Sequence, residues 1–244
     1  RAAAATGDKG LIELAEFLAE LFLAPICSLI PSDGEQNGGG DDGLGSATEN
    51  DDALLQRILP DVSRTFALSI QALSPELKSP VRTAYLLCRI LDTIEDEPEM
   101  GHARRSELFG AFEAALKDGD AARLTRAPEW SADAENTEYL LCRRADAVFR
   151  AFDRLTEEQR ACIRPSVLEM SRGMREYSQR HDELGSMAIR DLEDLDRYCY
   201  FVAGTVGEML TELFLQTLPD ADSELRDAAK ARAVAFGQGL QLVN

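Results

Sequence analysis

An all-α fold is what this sequence predicts, and three observations carry that expectation. From Ala53 to Asn244 the apolar residues recur at helical spacing, with no convincing strand alternation. Helix-start and helix-stop signals punctuate the same stretch. The composition, 45% hydrophobic and 29% charged over 244 residues, suits a soluble globular chain long enough to bury a full-size core. The expected architecture is a bundle of about seven or eight helices.

Residues 1–52 stand apart from that bundle. LIELAEFLAELFLAPICSLIP, residues 11–31, is the most apolar stretch, with Glu13, Glu16 and Glu20 on one helical stripe and Pro25 interrupting the helical pattern. Its uncharged run, Leu21 to Pro31, falls short of the roughly 20 residues a membrane span needs. A helix packing on the main domain or on a partner is expected there. SDGEQNGGGDDGLGSATENDD, residues 32–52, is a flexible acidic linker by composition. Its glycines form no GxGxxG after a strand, so a dinucleotide loop is rejected. The main domain is placed at residues 53–244.

Within it, Ser79-Pro80 supplies a cap and an N1 proline for a helix over the YLLCR segment, which Pro98 and Gly101 end. Thr156 with Gln159 forms a capping-box pattern ahead of another long helix. A further helix starts near Arg190 and stops before Pro219. The chain begins at Arg1 without Met and stops at Asn244 inside an apolar-periodic run, so a piece of a longer or processed chain is expected.

Charge and cysteine content narrow the function. Lys plus Arg number 26 against 44 Asp plus Glu, a net charge of −18 that repels nucleic acid and anionic lipid. An anionic substrate would need metal ions or a local arginine cluster to offset that field. Five cysteines (Cys27, Cys88, Cys142, Cys162, Cys199) without a CxxC argue for a reducing, cytoplasmic compartment and against a structural zinc. His102 and His181 read as surface histidines, too few for histidine-based zinc chemistry or a triad.

The segment YLLCRILDTIED, residues 85–96, shares its first five letters with residues 139–143. On a helix the first copy places Tyr85, Arg89, Asp92 and Asp96 on one stripe, with Glu95 one step around. Three carboxylates near a helix C-terminus repel one another and the macrodipole. They are either a solvated acidic helix end or a cation site, and hard oxygens without His or Cys suit Mg²⁺. The second copy matches at Tyr139, Arg143 and Asp146 but has Phe149 and Arg150 where the first has Glu95 and Asp96. It is expected to pack and not to bind metal.

SRTFALSIQAL (63–73), YLLCRILDTIED (85–96), DLDRYCYFVAGTVGEMLTELF (194–214) and GLQLVN (239–244) occur in order. Together they resemble the squalene and phytoene synthase family from Ala53 onward, and DTIED is closer to the squalene synthase branch. The resemblance implies a single all-α isoprenoid synthase domain with two acidic motifs facing across a central cavity. It implies condensation of two farnesyl diphosphates through presqualene diphosphate to squalene, with Mg²⁺ and NADPH. Asp92, Asp96 and Glu95 would hold Mg²⁺, and Arg89 would reach phosphate from the same face. Ser63 and Arg64 would add a hydroxyl and a second guanidinium, with Phe66 and Tyr85 at the substrate. Arg64 and Arg89 would also touch the NADPH phosphate.

Tyr198 would accept the proton lost when the cyclopropane closes, but an ordinary tyrosine pKa near 10 calls for a nearby cation or the released diphosphate. The Val202-Ala203-Gly204 stretch and Gly207 admit either a packed helix or a long lipid, with Val202 and Gly204 assigned to substrate. Gln241 and Asn244 would point at the diphosphate or its metal. The second acidic motif is expected just past Asn244, so these residues alone are expected to be inactive. The alternatives are a phytoene, dehydrosqualene or presqualene diphosphate synthase, or a catalytically silent relative acting in assembly. An oily product that must pass to a bilayer implies a cytoplasmic protein making peripheral membrane contact.

Overall fold

Helix α2, Pro75–Asp96, is the hub on which the other elements are laid. Leu77, Val81, Ala84, Cys88 and Leu91 alternate at spacings of four and three, and Pro80, Leu87, Ile90 and Ile94 widen that stripe until most of the helix is buried. The computed structural model describes residues 51–184 and 189–243, and every regular element among them is helical. The apolar helix expected at 11–31 and most of the expected linker lie outside the described residues.

In chain order the elements are α1 (Asp51–Ala72), α2, α3 (His102–Asp118), a single turn α4 (Ala122–Thr125), α5 (Thr137–Arg143), α6 (Ala145–Asp153), α7 (Glu157–Leu184), α8 (Leu192–Cys199), α9 (Thr205–Gln216) and α10 (Ser223–Val243). A 3₁₀ turn, Pro128–Ser131, precedes α5, and a π turn, Tyr200–Gly204, joins α8 to α9. Among the described residues the α elements number ten, one of them a single turn, more than the seven or eight expected, because the runs at 137–153 and 192–216 are each interrupted.

One helix start differs from expectation. The dipeptide Ser-Pro occurs twice, and α2 begins at the earlier one: Ser74 is extended and Pro75 occupies the first turn. Pro80 lies inside the helix, where it gives up one backbone bond near the N-terminal end. Two equivalent local signals five residues apart cannot be ranked without the packing of Leu77 into the core. The capping box at the head of α7 forms: the Thr156 amide donates to Gln159 at 3.1 Å and the Gln159 amide to Thr156 Oγ1 at 3.2 Å.

The first helix is pinned at its start by charge. Asp51 takes Arg150 from α6 and Arg154 just past its end, each at 2.8 Å, and Asp52 pairs with the buried Arg82 of α2. Hydrogen bonding from Arg150 is the main reason the Asp51 carboxyl is held down at about 2. At the other side of the bundle α9 and α10 touch backbone to backbone. A Cβ on Gly207 would stand 2.1 Å from the Ala233 carbonyl oxygen, and one on Gly237 would stand 2.1 Å from that of Ala203. Between these two pinned sides the bundle leaves a hollow.

Candidate active site

The hollow is a cavity of about 430 Å³ walled by α1, α2, α7, the α8–α9 rod and α10. Polar lining comes from the last two turns of α2, which present Arg89, Asp92, Glu95 and Asp96, with Tyr198 from α8 and Gln241 from α10. Phe66 and Ile70 line it from α1, and Met170 and Met174 from α7, each pair one helical turn apart. Val202, Met209 and Phe236 close the apolar wall. Phe66 and Tyr85 stack at a ring separation of 5.3 Å, and the Tyr85 hydroxyl donates to the Val62 carbonyl at 3.0 Å.

The acids respond to this setting. Burial, opposed by Arg89 and reinforced by Asp96 and Glu138, pushes the Asp92 carboxyl up to about 7. Water still reaches a third of that side chain. Burial, then Asp92 and Asp96, pushes Glu95 up to about 8. Asp96 is the most exposed of the three and is also raised, by partial burial of its carboxylate and by Glu138. Protons or a cation would relieve this repulsion.

Among the described residues no three His, Cys, Asp or Glu side chains converge into a ready-made metal cage. The trio offers instead one helix face of hard oxygen donors. That fits Mg²⁺, which takes one or two carboxylates and completes its shell with water and phosphate. Asp92, Glu95 and Asp96 are the residues that could hold it.

The close of α2 lacks a basic residue of its own, and Arg105 of α3 supplies one. The buried guanidinium donates to the Glu97 carbonyl at 2.9 Å and to the Ile94 carbonyl at 3.3 Å, and its outer edge meets Asp182 at 3.2 Å. It satisfies carbonyls that the helix end leaves open and sets a fixed positive charge behind the acids.

Burial and the charges of Glu95, Asp96 and Asp92 push the Tyr198 hydroxyl above its ordinary range. The ring is held edge-on by Tyr177 at 5.1 Å. Tyr177 donates in turn to Asp194 at 2.8 Å, a buried carboxylate that also takes Arg180 and the Arg190 amide. Arg180 is the chief reason Asp194 lies well below the usual carboxylate range. This network ties α7 to the first turn of α8 and so fixes where Tyr198 stands.

Of the residues expected at the site, Phe66, Tyr85, Arg89, Asp92, Glu95, Asp96, Tyr198, Val202 and Gln241 share this one cavity. Gly204 is a correction: it lies outside the lining, facing Tyr200 and Val234, because the π turn rotates it toward α10. Ser63 is buried with its hydroxyl unpartnered and does not line the cavity. The Arg64 side chain and Asn244 lie outside the described residues. Ile70, Met170, Met174, Phe236, Arg105 and Tyr177 were not singled out by sequence. The apolar ones carry the same helical spacing as any core residue, and the other two act across helices.

The second YLLCR copy breaks at Arg144, where α5 gives way to α6. Tyr139 donates to the Glu97 carboxylate and Arg143 to the Trp130 carbonyl, while Asp146 pairs with Arg150 at 2.7 Å. A second cavity, about 550 Å³, shares Glu95, Asp96 and Tyr198 with the first and is lined also by His181 and Ser178.

The Squalene/phytoene synthase family model matches residues 59–244. The chain is 31% identical over 182 residues to squalene synthase R6 of Phoma sp., covering 75% of this chain and 41% of that protein. It is 30% identical over 202 residues to squalene synthase ERG9 of Candida albicans, covering 82% of this chain and 43% of the relative. Among solved structures, a complex of TcSQS with the ligand E5700 matches at a TM-score of 0.63 and 29% identity, over 78% of this chain and 51% of that one. The chain therefore spans less than half the length of these curated relatives.

Proposed function

Because the chain belongs to the squalene/phytoene synthase family, we propose that its cavity binds an isoprenoid diphosphate and that the full-length protein is a squalene synthase-type farnesyltransferase. Two farnesyl diphosphates are joined head to head through presqualene diphosphate, and reduction by NADPH gives squalene. The supporting observation is the single cavity that sets three strained carboxylates and Arg89 beside a wall of aromatic, methionine and valine side chains.

Each group has a task suited to its surroundings. Asp92, Asp96 and Glu95 would hold Mg²⁺, an ion that would supply positive charge against the departing diphosphate. Arg89 meets that diphosphate directly, since a guanidinium fork matches two phosphate oxygens. Arg64, Gln241 and Asn244 are assigned to the same headgroup, and Arg64 and Arg89 also to the NADPH phosphate; Ser63, buried outside the lining, is not. Phe66, Val202 and the two α7 methionines exclude water from the carbocation, which a stray hydroxyl would quench. Tyr198 would relay the proton released on ring closure: its hydroxyl is raised and therefore protonated, so it passes its own proton to the released diphosphate as it takes the new one.

Product analysis tests this reading. With farnesyl diphosphate and Mg²⁺ the full-length protein is expected to accumulate presqualene diphosphate without NADPH and squalene with it. Absence of squalene when NADPH is supplied rejects the squalene assignment in favour of a phytoene-type or presqualene-stage enzyme. Asp92→Asn is expected to lower kcat/KM roughly a hundredfold, the scale of losing one preorganised electrostatic partner. An unchanged rate removes the metal role.

A further inference from the structure

Arg89 is already engaged. Its guanidinium pairs with Glu138 on the first turn of α5, 49 residues away in sequence, and stands 3.8 Å from Asp92. Its Nε is buried and without a hydrogen-bond partner. The Asn136 side chain satisfies the leading amides of α5, accepting from Glu138 at 2.9 Å and Tyr139 at 3.1 Å. The Glu138 carboxylate is therefore not needed as a cap and is free to face α2. The anchoring of α5 through Tyr139 and Arg143 keeps it there.

A carboxylate and a phosphate ask the same thing of a guanidinium, two oxygens against the fork. We propose that Glu138 is a built-in competitor for Arg89, a carboxylate that stands where a diphosphate oxygen binds and is displaced when the diphosphate arrives. The proposal rests on the assignment of Arg89 to diphosphate. It makes the second YLLCR segment a regulator of the first: it supplies no metal ligand but sets how tightly the headgroup is held and how readily product diphosphate leaves. Both partners are partly open to solvent, 29% for Arg89 and 38% for Glu138, so the exchange requires no unfolding.

Inorganic diphosphate titrated calorimetrically into the full-length protein at fixed Mg²⁺ tests this without relying on turnover. Glu138→Gln keeps the shape and removes the charge, and it is expected to bind diphosphate about fivefold more tightly, the scale of a partly exposed ion pair. Arg89→Gln is expected to bind more weakly, and the double variant to match Arg89→Gln alone. Unchanged or weaker binding by Glu138→Gln overturns the proposal, weaker binding showing that Glu138 merely holds Arg89 in place. A gain that persists in the double variant over Arg89→Gln also overturns it, in favour of general charge repulsion. Unaltered binding by Arg89→Gln rejects the prior assignment of that arginine.

Discussion

Asp92 and Glu95 titrate near 3.8 and 4.5 in an unstructured chain, and in the folded cavity at about 7 and about 8. Between those limits the folded state holds more protons than the unfolded state. Stability from these groups is fully present below about pH 4 and falls as pH rises through about 7 to 8. In the presence of a chelator, the melting temperature is expected to decline over that window, and Asp92→Asn with Glu95→Gln to flatten the decline. Mg²⁺ binds the ionised carboxylates, so its stabilising shift in melting temperature is expected to be larger at pH 8 than at pH 6. An equal shift at both pH values would mean that the ion acts elsewhere. The acid trio itself was legible because i, i+3 and i+4 spacing makes neighbours on a helix. Arg105 and Glu138 were not, since 11 residues separate Arg105 from Ile94 and 49 separate Glu138 from Arg89, and no period links such partners.

The elements show where repeated local signals mislead. Two Ser-Pro pairs could each start α2, and two YLLCR copies could each continue as a helix; packing selects the first Ser-Pro and interrupts the second YLLCR at Arg144. The π turn at Tyr200–Gly204 has no periodic signature either, yet it turns Gly204 out of the cavity and lets Phe201 cover Gly173. The small residues of the VAG stretch were open to two readings, and Ala203 and Gly207 serve both: each lines the cavity and each abuts α10. Gly207→Ala forces a methyl into the Ala233 carbonyl, which is backbone and cannot swing aside. A cost of about 1–3 kcal/mol is expected. At about 2–4 °C per kcal/mol for a chain of this size, thermal melting is expected to fall by several degrees. A melting temperature equal to wild type would show that α9 and α10 are not in backbone contact.

The helical class was legible because amphipathic period survives over many residues, whereas the breaks that raise the helix count, and the cavity itself, depend on which helices cross. The net charge of these 244 residues acts on that cavity at long range. A net −18 sets up a field that opposes the approach of a diphosphate, while the cationic groups placed at the headgroup act only at short range. At low salt the long-range repulsion governs encounter; near 0.1 M the Debye length is about 10 Å, and only local groups are felt. The association rate of farnesyl diphosphate, followed by stopped flow at constant free Mg²⁺, is therefore expected to rise severalfold as ionic strength increases from about 10 to about 150 mM. Proteins steered toward their ligands show the opposite slope. A rate that falls with salt would mean that the arginines and bound Mg²⁺ project a positive field beyond the cavity mouth, and that the acidity of the surface does not reach the site.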